Sequence, residues 1–152
     1  MKKISFLLLL IAMISVTCYA GKRDMKKDKP AKHNNKSKGK AELIDTHWRL
    51  SELNGKPVTT GNTEAYIMFA KKGSRIEGNT GCNSLGGTYN TGRFEALKIE
   101  AVSTKMACPD MTSESQMNTA LSYANRYMIN GQYLLLYNDN LLLALFEAQY
   151  PE

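Results

Sequence analysis

Short apolar runs alternate with turn-forming residues along the chain from residue 41 onward. The runs are rich in Leu, Ile, Tyr and Phe. The clearest turn signals between them are Asn54-Gly55, Gly61-Asn62, Lys72-Gly73, Gly86-Gly87, Asn90-Thr91-Gly92, Asn130-Gly131 and Asn138-Asp139-Asn140. Short strands with turns at this spacing predict an antiparallel β-sandwich or barrel.

The C-terminal part of the chain predicts a meander of three strands. Residues 127–129 and 132–137 flank Asn130-Gly131, a pair that tolerates the positive φ of a type I′ hairpin turn. A second turn leads into residues 141–146. Because the last two strands are apolar on both faces, we expect one face in the core and the other against a neighbouring element.

One helix is predicted over residues 113–126. Ser113 and Gln116 have the spacing of a capping box, and Glu114 in the first turn would interact favourably with the helix dipole. Apolar side chains recur on one side of this helix at Met117, Leu121, Ala124 and Met128. We interpret this stripe as core packing. The predicted fold is therefore α+β, mainly β with one helix, as a small antiparallel barrel-like domain.

The first 20 residues predict a secretory signal peptide. Lys2 and Lys3 precede an almost unbroken apolar run over residues 4–16, and small residues stand before Gly21. A membrane span needs roughly 20 apolar residues, so this run is short for a retained anchor. We predict cleavage after Ala20 and export to the periplasm or cell envelope.

Cys18 offers a second processing route, which is lipidation as in a bacterial lipoprotein. A lipobox has a large aliphatic residue three positions before the cysteine and a small residue directly before it. Ser15 and Thr17 occupy those positions and fit poorly. If Cys18 were lipidated, the chain would be anchored to a membrane leaflet through its first residue.

The net charge of +6 is concentrated before residue 41. Residues 1–20 carry +2, residues 21–40 carry nine Lys or Arg against two Asp (+7), and residues 41–152 carry nine against twelve acidic residues (−3). Residues 21–40 contain no aromatic side chain and one Met, too little apolar surface to form a core. We predict a flexible basic tether, either a solvated spacer or a contact with an anionic surface. Nucleic-acid binding is not supported, because no aromatic residues interleave with the lysines.

The remaining domain, residues 41–152, contains little that predicts catalysis. His47 is its single histidine, and a lone histidine is more often structural than a general base. No cluster of zinc ligands stands out, and the glycine-rich residues 78–81 lack the lysine of a phosphate loop. We therefore predict a protein that is not an enzyme and needs no cofactor or metal. A hydrolase using His47 is the least favoured alternative.

Two cysteines, Cys82 and Cys108, remain after removal of the signal peptide. In an oxidising compartment an even pair predicts a disulfide, and two buried thiols are the alternative. Such a bridge would contribute roughly 3–4 kcal/mol on the chain-entropy model. The residues before it, through Gly81, are interpreted as a β-bulge or tight turn that aims Cys82 inward.

Several single residues have structural interpretations. Asn83 is predicted to bond its own backbone in an Asx turn, and Thr104 to end a strand. Met106 is predicted to fill core space near the bridge. Trp48 is interpreted as a core residue, because Leu50 alternates with it on one face, and a surface binding anchor is the alternative.

A series of motifs runs through the domain in a fixed order. They are Trp48-Arg49-Leu50, Leu53-Asn54-Gly55-Lys56-Pro57, Gly78-Asn79-Thr80-Gly81-Cys82-Asn83, Gly87-Thr88-Tyr89, Ser103-Thr104-Lys105-Met106-Ala107-Cys108, Leu134-x-Leu136 and Leu143-x-x-Phe146. In order and spacing, residues 43–147 resemble the META domain family, which includes the bacterial heat-shock protein HslJ. The Gly-Cys-Asn and Thr-Lys-Met-x-Cys segments are the most specific part.

The resemblance implies a compact barrel-like fold with one helix in an exported or envelope-attached protein. Members of the family are linked to heat induction, novobiocin resistance, or motility and secretion, and no catalytic residues are established. The resemblance thus implies a stress-associated structural or partner-binding module that contacts an envelope protein or polymer. The alternative is a barrel that binds a small apolar ligand. A loose cluster of tyrosines would then line the groove, namely Tyr123, Tyr127, Tyr133 and Tyr137.

Overall fold

A computed structural model describes residues 39–58, 63–109 and 111–150. The predicted signal peptide, Cys18 and most of the tether lie outside the described residues. The strands are β1 His47–Leu53, β2 Lys56–Pro57, β3 Ala65–Ala70, β4 Arg75–Thr80, β5 Ser84–Thr91, β6 Leu97–Ser103, β7 Arg126–Asn130, β8 Tyr133–Asn138 and β9 Leu141–Gln149. The α-helix, α1, is Thr112–Tyr123, and 3₁₀ turns occupy Lys72–Ser74 and Arg93–Glu95.

The strands form one antiparallel sheet that curls on itself. Its order is β6-β5-β4-β3-β1-β9-β8-β7, with β2 paired to β1. The two end strands meet where Ala96 bridges Arg126 and the Leu97 N–H donates to the Asn125 carbonyl at 2.9 Å. Helix α1 joins these end strands along the chain and packs against β6, β1, β4, β8 and β9. The result is a half-barrel with one helix packed against it, which confirms the predicted mainly-β fold.

Large side chains fill the concave side of the sheet. Trp48, Phe69 and Phe146 are fully buried, and the Trp48 indole N–H donates to the Leu43 carbonyl at 3.0 Å. A bulge in β1 shifts its register after Leu50. Because of that extra residue, Leu53 also returns to the interior. Trp48 is therefore part of the core and not a surface anchor.

Two hairpin turns test how well local sequence signals predict turn geometry. Asn54-Gly55 joins β1 to β2 with φ of 50° and 72°, the pattern of a type I′ turn. The type I′ turn predicted at Asn130-Gly131 is wrong by one residue. Asn130 pairs with Tyr133, so Gly131 and Gln132 form the loop, and of these two only Gly131 has a positive φ.

Helix α1 ends earlier than predicted and has a different cap. Met111 occupies the N-cap position without a capping side-chain bond, so the predicted Ser113 capping box is wrong. Met117 and Leu121 are buried as predicted. The chain leaves the helix at Ala124 because the next residues join the sheet, where β7 begins. No helix among the described residues is long and apolar enough to cross a membrane.

Strands β8 and β9 bury one face, and their outer face is partly exposed. Leu134 and Phe146 pair across the strands and are fully buried. Leu135 and Leu145 pair on the opposite face and are half-exposed. The interior half of the prediction is confirmed, whereas the expected full cover of the outer face is wrong for the described part of the chain.

Candidate functional site

The predicted disulfide is present between Cys82 and Cys108. Their Cα atoms are 6.4 Å apart, and 26 positions separate them in sequence. Cys82 lies in the turn between β4 and β5, and Cys108 lies in the segment between β6 and α1. The bridge therefore ties the connection into the helix to the β4–β5 turn.

The turn that holds Cys82 is tight and internally bonded. The Thr80 N–H donates to the Asn83 carbonyl at 2.8 Å, and Gly81 has a φ of 98°, which favours glycine. Asn79 accepts the Gly81 N–H at 2.7 Å, so the Asx turn belongs to Asn79 and not to Asn83 as predicted. The turn places Asn83 in the interior, whereas Cys82 is only half-buried and does not point fully inward as predicted.

The side chain of Asn83 joins three segments of the chain. Its Oδ1 accepts the Thr104 hydroxyl and the Met106 N–H, both at 2.7 Å. Its Nδ2 donates to the Met106 carbonyl at 3.1 Å and to both carboxylate oxygens of Glu114 at 2.9 Å. The buried Asn83 amide therefore uses both its N–H donors and its carbonyl acceptor. Neither an Asp nor a Leu side chain could make all of these hydrogen bonds. We call Asn83, Thr104, Met106 and Glu114 the Asn83 cluster.

Glu114 is a buried carboxylate in the first turn of α1. The start of the helix favours its negative charge, and the Asn83 amide supplies a donor. A buried charged group without such partners would be costly. The sequence gives a weak signal for this contact, because the two residues are 31 positions apart.

Met106 does not fill the core as predicted. It is 59 % exposed, because Asn83 holds its backbone N–H and carbonyl and so directs the side chain outward. The space beside the bridge is taken by Asn83 itself. Thr104 directly follows the last residue of β6, in keeping with the predicted strand end. Its hydroxyl donates a hydrogen bond to Asn83 Oδ1.

A groove of about 770 Å³ opens beside the Asn83 cluster, between β6 and α1. Val102, Met106 and Met111 form exposed apolar parts of its lining. The helix contributes small polar side chains such as Ser115 and Asn118, and Asn118 donates to the Ser103 hydroxyl at 3.0 Å. This mixture suits contact with an extended polypeptide or polymer through apolar packing and hydrogen bonds.

Residues 41–150 match the model of the META domain family. This chain belongs to the META domain family. Two proteins solved by NMR resemble its fold. One is 24 % identical, with 67 % of this chain and 88 % of that chain covered and a TM-score of 0.55. The other, from Burkholderia xenovorans, is 21 % identical, with 72 % and 85 % covered and a TM-score of 0.59. No curated protein matches the chain.

The histidine of this META domain lies outside the groove. His47 Nε2 is 2.7 Å from a Glu64 carboxylate oxygen, and its ring stacks on Tyr66 with centroids 4.2 Å apart. The imidazole thus belongs to a surface pair on β1 and β3, away from the β6–α1 groove. Within the described residues, no three His, Cys, Asp or Glu side chains come together as a metal site.

The tyrosines of the META domain do not line one groove. Tyr127 lies opposite the buried Leu136 and shares its face of the sheet. Tyr133 points to solvent, and the Tyr137 ring lies 4.4 Å from the Arg126 guanidinium. The ligand groove suggested for these tyrosines is therefore wrong.

Proposed function

We propose that this protein is exported to the cell envelope, where its non-catalytic META domain binds a partner through the β6–α1 groove. The partner is an envelope protein or polymer, and the complex has a structural role under stress. Export is supported by the signal-peptide pattern of residues 1–20 and by the Cys82–Cys108 disulfide, which suits an oxidising compartment.

The observation that carries the proposal is the fixed wall of the groove. The disulfide and the Asn83 cluster hold the segment from Thr104 to Cys108 against the sheet from both ends. A surface fixed before binding loses little conformational entropy when a partner docks. The exposed Met106 side chain is thereby presented at a defined place, and methionine adapts to varied partner surfaces.

The other two functions find less support. An apolar ligand would need an open interior, and Trp48, Phe69 and Phe146 occupy it. A hydrolase would need a nucleophile next to His47, whose nearest partners are Glu64 and Tyr66. We therefore favour partner binding over both.

Site-specific crosslinking in intact cells tests the proposal. A photo-crosslinking amino acid replaces Val102, which is 78 % exposed in the groove, or Leu141, which is 65 % exposed at the start of β9, as the control. We expect a defined adduct from position 102, absent from position 141 and lost on Met106→Glu. Equal adducts at both positions, or none, would reject the groove as the binding site.

Mass spectrometry of the exported protein tests its processing. The proposal expects a mature N-terminus at Gly21 with no modification. A mature N-terminus at an acylated Cys18 would show that the chain is a lipoprotein instead. An uncleaved chain recovered from the cytoplasm would contradict export.

A further inference from the structure

The second half of β6 has a backbone edge that no described strand covers. β6 lies at the end of the sheet and pairs, among the described strands, with β5 alone. At its start this edge is closed, because the Leu97 N–H donates to the Asn125 carbonyl at 2.9 Å. Further along, Ala101, Val102 and Ser103 all line the β6–α1 groove. Because consecutive side chains of a strand point to opposite faces, a groove lined by all three lies against the edge of the strand.

Two hydrogen bonds fix the direction of the backbone groups along β6. The Thr104 N–H donates to the Ser84 carbonyl at the start of β5 at 2.9 Å, whereas the Leu97 N–H points away from β5. In an antiparallel pair, successive residues direct their backbone groups alternately toward the partner strand and away from it. Ala101 and Ser103 therefore share the direction of Leu97, and their N–H and C=O groups face the groove. No backbone hydrogen bond from the described part of the chain reaches these outward groups.

We propose that an extended segment of a partner protein adds to β6 as a further strand in this groove. The inference rests on the proposed function and deepens it, because it names the partner as a polypeptide bound through its backbone. Unpaired N–H and C=O groups at a sheet edge are a template for another strand. Edges are commonly protected from such pairing by charged side chains or proline, and Ala101, Val102 and Ser103 supply neither.

The groove is large enough for a short strand. Strand and sheet spacings of about 3.3, 4.8 and 10 Å give each residue of a strand roughly 160 Å³, so a groove of about 770 Å³ holds about five residues. Ser115, Thr119 and Ser122 are exposed and lie on one side of α1, where they line the wall opposite β6. Because these side chains are short, the helix leaves space for another chain beside the β6 edge.

The side chains of the groove define what the segment should carry. Met106 and Met111 are exposed apolar residues of the lining, so we expect apolar side chains at alternate positions of the segment. Lys105 is exposed, whereas Glu114, the other charged residue of the described lining, is buried and bonded to Asn83. The exposed charge of the groove is therefore positive, and an acidic residue at the Lys105 end of the segment complements it.

N-methylated peptides test the backbone pairing. The chain from Gly21 onward is the target for a display library of short random peptides, and a selected peptide is synthesised in two further forms. One form has methyl groups on the backbone nitrogens of its even-numbered residues, and the other on those of its odd-numbered residues. Because alternate N–H groups of a paired strand face its neighbour, we expect one form to bind about tenfold more weakly and the other to bind like the parent peptide.

A proline at position 101 tests the same edge from the side of the protein. Ala101→Pro removes an outward N–H and leaves the hydrogen bonds to β5 in place, whereas Ala101→Ser keeps that N–H and is the matched control. We expect Ala101→Pro to bind the parent peptide about tenfold more weakly and Ala101→Ser to bind it like the natural chain.

Amide hydrogen exchange of the natural chain gives a readout that needs no variant. The Val102 amide, in register with Gly86 of β5, should be protected with and without peptide. The Ser103 amide should exchange rapidly in the free protein and become protected when the peptide binds. A Ser103 amide that is not protected by the peptide would contradict strand addition.

The remaining outcomes separate this inference from the proposed function. Equal binding of the two N-methylated forms, or a library that yields no binder, would overturn strand addition. If a cellular adduct from position 102 then persisted in Ala101→Pro, the groove would hold a protein through side chains or hold a polysaccharide, and the proposed function would stand alone. Self-association that is lost in Ala101→Pro would overturn the partner segment in favour of β6 from a second copy. Binding of one N-methylated form without any cellular adduct would support strand addition and count against the proposed function.

Discussion

The two ends of β5 are held in opposite ways. At its beginning, the turn from β4 is covalently bridged to the helix connection, and Asn83 hydrogen-bonds the same connection. At its end, the turn into β6 has two left-handed residues, and Phe94 makes no core contact. The first turn uses its side chains to fix a surface, while the second leaves a side chain free to contact something else. One turn of the sheet is thus fixed by long-range contacts, whereas the other presents its side chain to solvent.

The largest expected effect comes from changing Asn83 at the fixed end. Asn83→Asp replaces the Nδ2 donor with an oxygen that faces the buried Glu114 carboxylate. Uncompensated buried charge of this kind costs about 3–5 kcal/mol, so we expect a large fall in the free energy of unfolding in urea. Adding Glu114→Gln should recover part of the loss. If the double variant were no better than the single one, the contact with Glu114 would not be the cause.

The second-largest effect on stability is expected from loss of the disulfide. Cys108→Ser, or reduction of the natural protein, should lower the free energy of unfolding by about 2–5 kcal/mol. The loss should be the same for Cys82→Ser, because both variants open one bridge. Denaturant titrations with and without reductant measure it. A reduced protein as stable as the oxidised one would show that the Asn83 cluster alone fixes the segment.

A small gain in stability is expected at the other end of β5. Phe94→Gly removes a left-handed conformation that costs about 1–2 kcal/mol, and the added flexibility of glycine cancels roughly 0.5–1 kcal/mol of that. The melting temperature should therefore stay level or rise slightly. A marked loss of stability would mean that Phe94 packs on the fold and would remove the contrast between the two turns.

The smallest effect on stability is expected from the basic segment. Deleting residues 21–38 should leave the melting temperature nearly unchanged, because the segment has too little apolar surface to contribute to the core. Any binding of the segment to anionic vesicles should fade above physiological salt, where the screening length is about 8 Å. Salt-insensitive binding would contradict an electrostatic role.

Local signals in the chain were enough for much of the fold. Closely spaced turns and apolar runs predicted the antiparallel sheet, and the apolar stripe that includes Met117 predicted α1. Asn54-Gly55 predicted its own turn, because both residues tolerate a positive φ. The helix cap and the Gly131 turn were misplaced, since sheet pairing and the entry into α1 decide those ends and local residues do not.

The sequence by itself determined the strands and the helix, because these depend on the pattern of neighbouring residues. It also determined which cysteines could be joined, because only two remain after the predicted signal peptide. Only the tertiary structure decided that Asn83 is a buried link and not a local turn, and that Glu114 points inward to it. It also decided that Met106 and Phe94 face solvent. These features depend on groups far apart in the chain, and the closing of the sheet brings them together.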